Sequence, residues 1–151
     1  MQSPPDPGSF NTMVWNIVRQ IPPGTVSTYG QIASMLPVPP GVSPKDYERL
    51  GPVWVGKAMH AISSQDDPSI PWQRVINSQG GISLPAGSRL ALEQHRRLQR
   101  EGVQFAPNGR VPFNTYGWDG PDATWLRAHR LCPPLVIKKP AHPSTQQLTL
   151  L

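Results

Sequence analysis

Proline decides where helices can run in this chain. It lacks the N–H that a helix interior needs and its ring clashes with the preceding turn. Pro22-Pro23, the 37–44 stretch, Pro52 and Pro71 therefore divide the sequence into short pieces. Residues 1–8, MQSPPDPG, read as a disordered N-terminus. Helical order is expected from Ser9, a candidate N-cap, with Phe10, Met13, Val14, Ile17 and Ile21 on one apolar stripe. Thr28 with Gln31 three residues on has the pattern of a capping box, and Ile32, Ala33, Met35 and Leu36 give a second helix its buried side. Residues 47–50 suit one turn of helix. Pro52 suits the first position of a third, with Val55, Ala58, Met59 and Ile62 inward and Val53, Lys57, His60 and Ser64 outward.

Further along, 70–76 and 81–84 read as short extended segments around the turn NSQGG, a candidate wing beside the helical pair. Residues 88–101 predict a basic helix ended by Gly102, its Arg96, Arg97 and Arg100 forming a solvated surface. Asn108-Gly109 suggests a small hairpin, and 122–129 a short helix. The expected architecture is mainly α with small β elements and resembles a winged helix-turn-helix. It occupies residues 9–118, with a partly disordered C-terminal extension over 119–151.

Charge narrows the partner. Fourteen Lys and Arg against nine Asp and Glu leave a net +5, which favours a polyanion, nucleic acid ahead of an anionic membrane surface. No stretch approaches the roughly 18 apolar residues of a spanning helix. The N-terminus lacks the basic-then-apolar order of a secretory signal. A soluble, intracellular protein is expected, cytoplasmic or nucleoid-associated in a bacterium and nuclear in a eukaryote. The single cysteine, Cys132, excludes an internal disulfide and a cysteine-built zinc site, and the four His show no ligand spacing. Neither metal nor cofactor is expected.

The most specific stretch is IPWQRVINSQGG, residues 70–81, a tight corner leading into a short buried strand. Corners of this kind often hold a reactive residue, and here the position carries an indole. In order along the chain stand Ser27-Thr28-Tyr29-Gly30, Val55-Gly56 with Ala58-Met59, Pro71-x-x-Arg74-Val75-Ile76, and Glu101-Gly102. This order resembles the DNA-binding, active-site domain of the O6-alkylguanine-DNA alkyltransferases over residues 9–102. In that family the two residues after the proline are the Cys that accepts the alkyl group and the His that relays its proton. Here they are Trp72 and Gln73. An indole carbon cannot act as a thiolate, and Gln has no proton to exchange near neutral pH. The pattern therefore looks like the alkyltransferase-like proteins, which bind such lesions without repairing them.

The resemblance implies a role for each matching position. Tyr29, following Thr28, would rotate a backbone phosphate and hold a flipped nucleotide. Trp72 would wall the lesion pocket together with Tyr29, Gln73, Arg74 and Val75, and Glu101 would be structural. The third helix would enter the minor groove, bringing Thr28, Tyr29, Val53, Trp54, Lys57 and His60 to the DNA. Where the family inserts an Arg into the base stack this chain has Val53, an apolar wedge without charge. The implied function is a non-enzymatic sensor of O6-alkylguanine in double-stranded DNA, a monomer that flips the nucleotide and presents it to nucleotide excision repair proteins. Two other readings stand beside it: a winged-helix regulator without lesion specificity, and an enzyme, either a divergent alkyltransferase using Cys132 or a glycosylase-like activity. Lys57 and His60 read equally well as a solvated face, and Cys132 as a free thiol without a role.

Overall fold

The computed structural model describes residues 3–63 and 65–139. Helix α1 spans Pro7–Val18, two residues earlier than the sequence suggests. Asp6, not Ser9, is the N-cap, accepting the Ser9 N–H at 3.2 Å. An aspartate also complements the helix dipole, and Pro7 behind it has no N–H to leave orphaned. Pro4 is buried, so within the described part of the 1–8 segment the chain already packs. Phe10, Val14, Ile17 and Val18 face the core, and Ile21 stays buried past the helix end.

A two-residue strand, β1 (Ser27–Thr28), leads into helix α2 (Tyr29–Met35). Thr28 Oγ1 accepts the Gln31 N–H at 3.0 Å, which is half of the expected capping box. The reciprocal half is replaced. Gln31 is fully buried, so its amide must be satisfied internally. It accepts from Ser27 Oγ at 2.6 Å and donates to the Trp118 and Leu135 carbonyls at 2.8 and 3.0 Å.

The third helix differs most from expectation. Helix α3 is continuous over Pro44–Ser63 with Pro52 inside it, where a break or a start was expected. An interior proline costs about 3 kcal/mol or more, and tertiary contacts on both sides of it hold the helix together. The Tyr47 hydroxyl donates to the Ala33 carbonyl at 2.8 Å. Trp54 packs edge-on against Phe10 at 5.9 Å and tilted against Tyr47 at 6.2 Å. The Trp15 indole donates to the Ala58 carbonyl at 3.0 Å, tying α1 to α3. At Gly51 an added Cβ would stand 3.0 Å from the Tyr47 ring and 3.2 Å from the Ala33 Cβ, so α2 and α3 approach as closely as they do only over glycine.

After Pro71 the corner is a single 3-10 turn, Trp72–Arg74, followed by strand β2 (Val75–Ile76). No hairpin wing forms among the described residues. Instead β2 pairs in parallel with β1, Ser27 opposite Val75 and Thr28 opposite Ile76. The NSQGG turn is real, but Asn77 Oδ1 takes the Gln79 and Gly81 N–H groups at 2.9 Å each, which diverts donors a hairpin would use. Helix α4 (Arg89–Arg100) is capped by Ser88, and Gly102 past its end adopts φ +98°. Asn108-Gly109 forms its turn without flanking strands. Helices α5 (Phe113–Tyr116) and α6 (Ala123–Ala128) follow, with Asp122 capping the latter.

The main core joins α1, α2 and α3 to Trp72, Val75, Trp118 and Leu126, and a smaller cluster gathers Val26, Ile76, Leu98, Val103 and Val111. Leu126 lies in the segment expected to be a loose extension. It packs into the core, and the Cys132 N–H donates to the Met35 carbonyl at 2.7 Å. The rest of the expected tail, 140–151, lies outside the described residues.

Candidate nucleic-acid interface

The corner and α3 enclose a hollow of about 370 Å³ whose walls include Tyr29, Gly56, Met59, Trp72, Val75 and Leu84. That volume falls within the roughly 300–1,000 Å³ range of small-molecule sites. Trp72 is only 3% exposed. Its indole forms one wall without filling the space.

A single turn of 3-10 helix cannot aim three successive side chains at one hollow. Gln73 and Arg74, both expected in the pocket, face away from it. Gln73 Nε2 donates to Glu101 Oε2 at 2.8 Å. Arg74 forks onto the same carboxylate, Nε at 3.0 and 3.1 Å and Nη2 at 2.9 Å, and its Nη1 donates to the Ile21 carbonyl at 2.8 Å. Glu101 also accepts the Gly24 N–H at 3.1 Å. This network fastens the back of the corner to the ends of α1 and α4. From the side, Gln94 donates its amide to the Gln73 and Val75 carbonyls at 3.1 and 3.0 Å.

On α3, Val53, Lys57 and His60 share the outer face at spacings of four and three, with Val53 54% exposed. Trp54 was expected beside them at the DNA surface, but its ring is 1% exposed in the core. One residue along a helix is a rotation of about 100°, which moves Trp54 onto the stripe of Val55, Ala58, Met59 and Ile62. Thr28, also expected at the surface, is buried and its hydroxyl is committed to capping α2. Tyr29 is partly buried and lines the hollow.

Sequence reasoning missed the groups that hold the indole. Trp72 Nε1 donates to Asp66 Oδ1 at 3.1 Å, and the Arg97 guanidinium lies 5.0 Å from the ring centroid. Arg97, expected to be simply solvated, also pairs with Asp66 at 2.9 Å and with Glu93 at 3.0 Å. Hydrogen bonds from Arg97 and then from Trp72 hold the Asp66 carboxyl down to about 2. Burial alone would push Glu101 up, but hydrogen bonds from Arg74, Gln73 and the Gly24 N–H outweigh it and leave its pKa below the usual range.

Both carboxyls bind a proton less readily in the folded chain than in the unfolded one. Their stabilisation is complete above the unfolded values of about 4 and is lost as pH falls, for Asp66 through about 2. The thermal midpoint is expected to stay level from about pH 7 to 5 and to drop below about pH 4. Glu101→Gln should remove part of that drop. A midpoint that rises on acidification would contradict this assignment of charges.

Residues 9–103 match the family described as 6-O-methylguanine DNA methyltransferase, DNA binding domain. Alkyltransferase-like protein 1 of Schizosaccharomyces pombe is 40% identical over 116 residues, covering 77% of this chain and 94% of that protein. The chain belongs to the alkyltransferase-like proteins. A DNA base-flipping protein of Vibrio parahaemolyticus is 37% identical over 109 residues, 72% of this chain and 95% of its own length. The crystal structure of S. pombe Atl1 in complex with damaged DNA containing O6-carboxymethylguanine superposes with a TM-score of 0.52 at 34% identity, covering 74% of this chain and 95% of Atl1. This alkyltransferase-like protein shares with Atl1 a mainly helical fold.

Proposed function

We propose that the protein is a non-enzymatic sensor of O6-alkylguanine in duplex DNA. It acts as a monomer, approaching through the minor groove on the outer face of α3, flipping the damaged nucleotide into the hollow beside Trp72 and presenting it to nucleotide excision repair proteins. One observation carries this reading: an open, largely apolar hollow is lined by Trp72, the residue that the resemblance sets at the acceptor position, and an indole has nothing to accept an alkyl group. Cys132, the chain's one cysteine, is exposed and does not line it. The damaged-DNA complex of Atl1 supports the choice of ligand.

The test is intact-mass measurement after incubation with a stoichiometric O6-methylguanine duplex. The expected result is a protein of unchanged mass and a duplex that still carries its lesion. A gain of one methyl group would overturn the non-enzymatic reading.

Val53 favours a second reading, a DNA binder without lesion specificity, because an exposed valine at the insertion position can wedge but adds neither charge nor hydrogen bond. The two separate on Val53→Arg. A lesion sensor should gain roughly tenfold in affinity for the lesion duplex over the unmodified one, whereas a binder without lesion specificity should gain equally on both. No gain would mean that this chain inserts another residue or none.

A further inference from the structure

Trp72 borders two hollows. In front lies the 370 Å³ hollow described above, and behind the indole lies another of about 250 Å³, walled by Ser63, Asp66, Leu90, Glu93 and Arg97. Among the described residues, Ser63 and Trp72 line both. The indole is thus a partition, and the groups that fix it all belong to the rear chamber. Asp66 Oδ1 accepts its N–H, Arg97 covers its face, and Arg97 is itself tied to both oxygens of Asp66 and to Glu93. Asp66 reaches this position from a left-handed backbone, φ +52°, which a non-glycine residue adopts at a cost unless its surroundings hold it there. Its N–H donates to the Ile62 carbonyl at 2.9 Å, so the turn ending α3 delivers the carboxylate to the indole.

We propose that Asp66 and Arg97 are positioning residues that latch Trp72 as the back wall of the front hollow and so limit the size of O6 substituent it accepts. This rests on the lesion-binding reading. With the latch released the indole can leave its rotamer, and the two chambers join into a deeper one. Long alkyl or benzyl groups would then enter further, while a methyl group, which never reaches the back wall, would gain nothing.

The experiment measures affinity for duplexes carrying guanine, O6-methylguanine and O6-benzylguanine at one salt concentration, for the parent chain, Asp66→Gly and Arg97→Met. Glycine keeps the left-handed turn while removing the carboxylate, and methionine keeps an apolar stem over the ring while removing the fork. Circular dichroism confirms that each variant is folded. The expected result is a benzyl-to-methyl affinity ratio raised roughly threefold in both variants, short of the roughly tenfold that one methylene is worth in an apolar pocket because Arg89, Glu93 and Arg96 still line the rear hollow. A ratio unchanged in both folded variants, with the lesion preference intact, would overturn the latch and leave the lesion reading standing. Equal affinity of the parent for all three duplexes would overturn the lesion reading and the size limit with it.

Discussion

Trp72→Ala is expected to weaken binding to an O6-alkylguanine duplex by roughly tenfold to a hundredfold, and binding to unmodified duplex by no more than about twofold. Stacking of a base on an aromatic ring is worth about 1–3 kcal/mol, and each 1.4 kcal/mol is about a tenfold change in affinity. Phosphate contacts, which do not depend on the hollow, remain. The indole is also core, 3% exposed, and Trp→Ala at such a site costs about 3–5 kcal/mol of stability. Binding must therefore be measured well below the variant's melting midpoint. Trp72→Phe is the control, since it keeps an aromatic face while losing the hydrogen bond to Asp66 and part of the indole's bulk. It should retain most of the lesion preference. Equal losses on both duplexes would reduce Trp72 to a structural residue.

Glu101→Gln is expected to destabilise the fold without touching the hollow. Arg74 and Glu101 are each only 14% exposed, and the carboxylate gathers three side-chain donors, Gln73 Nε2 and Arg74 Nε and Nη2, besides one backbone N–H. Removing one partner of a buried pair leaves the other charge without compensation, and the residual exposure puts the cost near the low end, about 3 kcal/mol. For a chain of this size that is a fall of roughly 6–12 °C in thermal midpoint. Arg74→Met should cost a similar amount. The double variant should cost clearly less than the sum, because the second substitution removes a charge the first has already orphaned. Additive losses would mean that the two groups act separately and that the corner is held elsewhere.

Part of this was legible in the residues. The stripe in α1 and the cap at Thr28 are local signals, and α1, α2, α4 and α6 form within three residues of where the sequence places them. Pro52 misled because a proline at a helix start and one tolerated mid-helix look alike until Tyr47 and Trp54 are seen packing around the turns before it. The parallel pairing of Ser27–Thr28 with Val75–Ile76 joins residues nearly fifty apart, and two-residue strands carry no period to read. Trp54 could have been placed by helical phase alone. At the candidate site, the corner motif pointed to the hollow, but the side on which Gln73 and Arg74 lie depends on Glu101, 27 residues on from Arg74. The Asp66–Arg97 pair spans 31 residues and had no local signature at all.

Everything proposed for this protein depends on the hollow beside Trp72 taking an everted, alkylated guanine and holding it without reacting. Competition between O6-methylguanine and unmodified duplexes of the same sequence, at one stated salt concentration, tests it most directly. The damaged duplex is expected to win by at least several-fold. Equal affinity for the two would contradict it.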